Sequence, residues 1–161
     1  IAIKRFGCLE TKSGVVAEYI HPGNKLGVLV QLEVEGYTPS LQEETHSLAH
    51  DIAMQAAAMS PTCVNRTEIA QDVIDKEMSI LREQGKTEGK PEKVIDKIVE
   101  GKMERFYSEA CLLEQTYIKD SDQTVKEVLD SMIAKIGENI SIRRFARFQL
   151  GEGLSSRSST A

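Results

Sequence analysis

The chain holds three histidines, His21, His46 and His50, the side chains best suited to acid–base or metal chemistry near neutral pH. Glu43, His46 and His50 follow at spacings of three and four, so a helix would carry them on one face, as two ligands and a carboxylate of a metal site. The glutamate lies outside the histidine pair and no third ligand follows, so a polar helix face beside Glu44 and Asp51 explains the same spacing. No Ser-His-Asp order, phosphate-cradling glycine loop or nucleophilic cysteine motif can be assembled, and the chain does not read as an enzyme; no metal or cofactor is called for. His21 stands apart. It ends an alternating run and is followed by Pro22-Gly23, the place of an exposed and rigidly held hairpin tip, which suits a residue that touches a partner. A solvated turn histidine fits the same position.

The elements that would carry these residues follow from pattern. Gly14 to His21 reads as a strand, Pro22-Gly23-Asn24 as a turn, and Lys25 to Glu35 as a second strand. In that second strand Leu26, Val28, Val30, Leu32 and Val34 alternate against Gly27, Leu29, Gln31, Glu33 and Glu35. Ser40, with Glu43 three residues on, predicts a capped helix start, and the helix to Met59 carries Leu48, Ile52, Ala53, Ala56 and Ala57 on one side. Small alanines let such a helix lie close to a sheet, and neither element is stable until it buries its apolar face on the other. Ser60-Pro61 stops the helix.

Ile1 to Glu10 is expected to form a strand. A second helix is expected from Asn65 or Thr67 to about Gln84, with Ile69, Val73, Ile80 and Leu81 in its seam. A third runs from Pro91 to about Glu109, with Ile95, Ile98, Val99, Met103 and Phe106. Two charged helices with thin seams, joined across Gly85 to Lys90, predict an antiparallel coiled-coil hairpin over residues 65–109 that projects from the domain. Packing of both helices on the core is the alternative. Cys111 to Ile118 reads as short and mixed, a strand or an extended return, Asp122 as the cap of a last helix over Val125, Val128, Leu129, Met132, Ile133 and Ile136, Gly137 as its stop, and Ile140 to Leu150 as a strand. The expected fold is α+β, a small antiparallel sheet packed against helices with the helical hairpin inserted. One module spans 1–154 and a disordered tail 155–161.

Composition narrows the classes. The 161 residues suffice for one domain with a core, and a net charge of −5 argues against nucleic acid as the main partner. Basic clusters at Lys4-Arg5 and Arg143-Arg144-Phe145-Ala146-Arg147 suit a solvated face or a protein contact. Cys8, Cys63 and Cys111 show no CxxC spacing and leave one over, as in a reducing compartment. Nothing resembles a signal peptide or a membrane span. The first residue is Ile, so the chain reads as a fragment or processed product. Ile1-Ala-Ile-Lys-Arg-Phe6 repeats as Ile140-Ser-Ile-Arg-Arg-Phe145, as though the first copy closed a similar upstream module.

Five motifs in order carry a resemblance to a known family. They are Tyr19-Ile-His21-Pro-Gly23-Asn-Lys-Leu-Gly27-Val-Leu-Val30; Leu48 to Met59 with Ser60-Pro61; Gly89-Lys-Pro to Met103; Leu112-Leu-Glu-Gln115 with Ile118-Lys-Asp120; and Ile136-Gly-Glu-Asn139 onward to Phe148. Together they resemble elongation factor Ts, the guanine nucleotide exchange factor for the GTPase elongation factor Tu. The resemblance implies an α+β core with an inserted coiled coil, a cytoplasmic or organellar location, and elongation factor Tu as partner, with no direct nucleic-acid or membrane contact. It implies that His21 touches the GTPase, with Tyr19, Pro22, Gly23 and Asn24 shaping the tip. The family's N-terminal helical domain has no counterpart, and Gly36-Tyr37-Thr38-Pro39 stands where single-module members carry Thr-Asp-Phe-Val. The chain is therefore expected to be the second core module, paired with an upstream module or a second copy. The alternative is a binding or dimerisation module of the same family that has lost exchange.

Overall fold

The structure, a computed structural model, describes residues 3 and 5–152. They divide into two compact units, one running through Ser60 and resuming at Glu127, the other spanning Pro61 to Lys126.

In the first unit β1 (Gly14–Ile20) pairs antiparallel with β2 (Leu26–Val34), and β2 pairs antiparallel with β5 (Ile140–Gln149), so β2 is central. The alternation of β2 is realised: Val28, Val30, Leu32 and Val34 are buried, beside Val15 and Ala17 of β1 and Ile140 and Ile142 of β5. This face packs on α1 (Gln42–Met59), which buries Leu48, Ala49, Ile52, Ala53, Ala56 and Ala57. Removing Ile52 or Leu32 from water contributes roughly 1.5 to 3 kcal/mol each. Gln31, expected on a polar face, is also buried, because the Nε of Arg144 donates to its Oε1 at 3.0 Å. A bulge between Gln31 and Leu32 leaves Arg143 without a partner in register, so the strand reverses which of its faces meets the core. The basic cluster is thereby split between the two faces of the sheet.

The second unit centres on α2 (Gln71–Thr87) and α3 (Glu92–Ala110), which pack against each other. Leu81, Ile95, Val99 and Met103 form the seam, with Ile74, Met78, Phe106 and Tyr107 half-buried around it. The segments entering and leaving this pair are bonded together. Cys63 bridges Cys111 in parallel, Leu112 N–H donates to the Cys63 carbonyl at 2.9 Å and Leu113 N–H to that of Val64 at 3.1 Å. A hairpin of β3 (Thr116–Tyr117) and β4 (Asp120–Thr124) follows and leads into α4 (Val125–Ile136). Gly137 ends α4 at φ 76°, its N–H on the Ile133 carbonyl at 2.9 Å, as expected for a left-handed stop.

Several expectations are corrected. Ile3 and Arg5 to Glu10 form no strand; Ile1, Ala2 and Lys4 lie outside the described residues, as does the expected disordered tail. The Arg5 guanidinium instead rests on the Phe148 ring, 4.6 Å from its centroid, and pairs with Glu152 at 2.6 Å. Ser40 does not cap α1. Pro39 is pre-set for a helical turn and opens a 3-10 turn over Pro39–Leu41, and the Ser40 hydroxyl bonds that of Thr38 at 2.8 Å. Residues 66–68 make a separate 3-10 turn, capped by the Asn65 side chain on Thr67 N–H, so α2 starts later than periodicity suggested. Asp122 lies in β4 and caps nothing there; its own N–H donates to the Asp120 carboxylate at 3.1 Å.

Candidate functional site

The tip of the β1–β2 hairpin is built by turn chemistry. Asn24 N–H donates to the His21 carbonyl at 3.0 Å across Pro22-Gly23, with Gly23 at φ 94°, the arrangement of a type II turn. A Cβ on Gly23 would meet nothing within 4 Å, so the requirement for glycine there is the positive φ. Asn24, at φ 54°, adds a left-handed residue of the type that tolerates it. His21 N–H closes the loop on the Leu26 carbonyl at 2.9 Å, and the five residues from His21 to Lys25 are all exposed.

Tyr19 holds the imidazole of His21. Its hydroxyl lies 3.0 Å from His21 Nδ1, and the rings meet edge to face at 6.0 Å between centroids. A hydroxyl that donates to Nδ1 leaves the proton of a neutral imidazole on Nε2, the nitrogen turned from the tyrosine. Tyr19 is in turn half-buried against α1, where His50 meets its ring edge to face at 5.9 Å. His50 Nδ1 lies 2.8 Å from the Glu18 carbonyl; a carbonyl can only accept, so this nitrogen is the donor.

The structure thus brings together Tyr19, His21, Pro22, Gly23 and Asn24. It does not bring His46 into that group: His46 is exposed beside Glu43 on a shallow surface with Pro39, Gln42 and Ser47. His50 spends its Nδ1 on Glu18, and among the described residues no three His, Cys, Asp or Glu are placed to hold a metal ion. Sequence reasoning grouped His50 with His46 by helical spacing and missed its contact with the hairpin. The available signal was that His50 lies three residues before Ala53 and seven before Ala57, which puts it at the margin of the apolar stripe.

The three arginines of β5 are engaged within the protein. Arg143 lies 3.9 Å from Glu33, Arg144 bonds Gln31, and Arg147 bonds Glu152 and Gln149 at 2.9 Å each. Cys63 and Cys111 are buried free thiols with sulfurs 3.7 Å apart, and burial first, then the Cys63 bond, pushes the Cys111 thiol up to about 12. Such a thiol is a packing group rather than a nucleophile. No helix of the described residues is long and apolar enough to cross a membrane.

The family profile described as Elongation factor TS matches residues 1–152. A protein of Desulforamulus reducens named Elongation factor Ts is 51% identical over 156 residues, covering 97% of this chain and 71% of its own length. One of Carboxydothermus hydrogenoformans with the same name is 52% identical over 156 residues, with the same coverage of 97% and 71%. One of Geotalea uraniireducens, again so named, is 48% identical over 158 residues, covering 98% of this chain and 73% of its own length.

Proposed function

The chain belongs to the elongation factor Ts family, and on that premise we propose that the β1–β2 hairpin tip is where it meets elongation factor Tu. It is a guanine nucleotide exchange factor, and exchange is differential binding: a factor that holds the nucleotide-free GTPase more tightly than the GDP-bound form must, by linkage, weaken GDP by the same ratio. No bond is made or broken in the factor, so the chain needs a rigid contact surface rather than a reactive group. The observation that carries the assignment is His21, fully displayed by a pre-set turn yet held from behind by the Tyr19 hydroxyl. Tyr19, Pro22, Gly23 and Asn24 shape the tip around it. Replacing His21 by Ala should weaken association with nucleotide-free elongation factor Tu by about 1 to 2 kcal/mol, while the melting curve, which does not depend on an exposed tip, stays in place. Unchanged affinity, or a stability loss as large as the affinity loss, would return His21 to an ordinary turn residue.

Two further assignments rest on the same membership. The α2–α3 pair is the inserted coiled-coil hairpin of the family's core. The sheet face turned from α1 meets a second module of the same fold, upstream in a longer chain or in a second copy. That reading is supported by Ile20 and Phe148, 53% and 40% exposed, which flank Gly27 in register. Sedimentation of the chain across micromolar concentrations, with Ile20→Lys as control, tests pairing between copies; a monomer throughout would leave the second copy without support.

A further inference from the structure

His50 lies on α1, outside the hairpin, yet its ring makes two contacts with β1 beneath the tip. The first concerns the sheet edge. In an antiparallel ladder alternate residues turn their backbone groups toward the partner strand. Ser13 accepts from Val34 and His21 donates to Leu26, so the odd-numbered residues of β1 face β2 and the carbonyl of Glu18 points to the free edge. His50 Nδ1–H satisfies that carbonyl at 2.8 Å, which ties the outer edge of β1 to α1. The second contact is the edge-to-face packing on Tyr19 at 5.9 Å with the planes at 72°. Tyr19 therefore has His50 on one side and the His21 imidazole, through a 3.0 Å hydrogen bond, on the other.

From this chain of contacts we infer that His50 is a positioning residue for nucleotide exchange: it fixes the Tyr19 ring, and the Tyr19 hydroxyl then fixes the orientation in which His21 is presented. The inference rests on the reading of the tip as the contact with the GTPase. An imidazole on an exposed turn would otherwise sample several rotamers, and each must be frozen on association; holding it in place beforehand removes that loss. Fixing one side chain in advance corresponds to about a 3- to 10-fold gain in affinity.

The test is a double-mutant cycle with nucleotide-free elongation factor Tu, read beside melting curves and the imidazole ¹⁵N signals of the free protein. His50→Ala and Tyr19→Phe should each weaken association about 3- to 10-fold. In a His21→Ala background the His50 substitution should cost less than about 2-fold, because nothing is left to position. In the free protein His50→Ala should shift the His21 ring nitrogens toward tautomer-averaged values. His50→Gln keeps an N–H for Glu18 and so keeps the strand edge, but offers no ring to Tyr19; it should fold and bind as weakly as His50→Ala. Full affinity of His50→Gln, an undiminished His50 effect in the His21→Ala background, or unmoved His21 signals would each overturn the inference. If His21→Ala binds normally while His50→Ala still shifts the His21 signals, positioning stands and the assignment of the tip as the GTPase contact fails.

Discussion

Helices α1 and α3 have nearly the same length, eighteen and nineteen residues, yet α1 buries eight of its residues and α3 four, while the seventeen-residue α2 buries two. The difference follows from what each helix packs on. A sheet offers a broad face, so α1 buries a wide stripe and uses alanines to come close; a single neighbouring helix offers only a seam. Ion pairs show the complementary trend. Arg82 and Asp96, 2.9 Å apart, link α2 to α3, Lys86 and Glu83 lie along α2, and Arg105 and Glu109 lie along α3, all of them substantially exposed. Exposed pairs contribute little each, so the helical pair has many weak links where the sheet unit has a dense apolar core. The unit that presents His21 is thus the one built to hold a surface rigid.

Core truncations should expose this contrast most strongly. Ile52→Ala, at a position 1% exposed between α1 and the sheet, should cost about 3 to 4 kcal/mol in urea unfolding. Leu81→Ala, in the seam, should cost about 2 kcal/mol, near the low end for leucine, because its surroundings are thinner and can collapse. Deleting Thr67 to Met103 with a short linker across the gap should leave the unfolding of the sheet unit in place. Equal losses from the two truncations, or collapse of the sheet unit on deletion, would show that the units share one core.

A glycine sharpens the same comparison on a smaller scale. Gly85 is buried in α2, and a Cβ there would come within 2.9 Å of Ile95 Cγ1, a branched side chain itself buried in the seam. Gly85→Ala would gain about 1 kcal/mol of helix propensity but lose about 1 to 3 kcal/mol to overpacking, so a net loss of about 1 kcal/mol is expected. The variant Ile95→Val beside it should recover part of that loss. A stabilised Gly85→Ala would mean that the helices separate freely and that the seam is looser than its buried residues indicate.

What was legible in the sequence tracks how much a residue's neighbours in the chain decide its place. The two long strands of the hairpin, the buried stripe of α1, the Pro22-Gly23 turn and the stop at Gly137 are local patterns, and all were readable. Strand β4 was not, since Asp120–Thr124 contains no apolar residue and so no alternation. Burial of Gln31 depends on Arg144, far away in the chain, and the parity change in β5 depends on a bulge that no composition signals. At the candidate site the tip was readable from its turn, whereas the link from His50 through Tyr19 joins residues on separate elements and appears only once α1 is laid against β1.

The smallest expected effect concerns the base of the helical pair, where charge does what apolar packing does in the sheet unit. Arg66 donates from Nε to Glu114 at 2.6 Å and through both terminal nitrogens to Glu104 at 3.0 and 2.6 Å, with its guanidinium 4.2 Å over the Tyr107 ring. One side chain thus ties the turn before α2 to α3 and to the segment after it. All three charged partners are partly exposed, so Arg66→Ala should cost only about 1 kcal/mol, less in high salt. The hydrogen bonds from Arg66 hold the Glu104 carboxyl below its ordinary value of 4.5. A carboxyl lowered in the folded state binds protons more readily when unfolded, so its stabilising contribution is complete above about pH 4.5 and is lost as pH falls through the lowered folded value. The protection of the α3 amides, taken relative to the intrinsic exchange rate at each pH, should therefore fall on acidification from pH 6 to below 4, and Glu104→Gln should reduce that acid sensitivity. The apolar core of the sheet unit, around Ile52 and Leu32, provides the internal reference. If the two units lose protection in parallel, or if Glu104→Gln leaves the acid response of α3 unaltered, then the Arg66 cluster is incidental and the seam alone holds the pair.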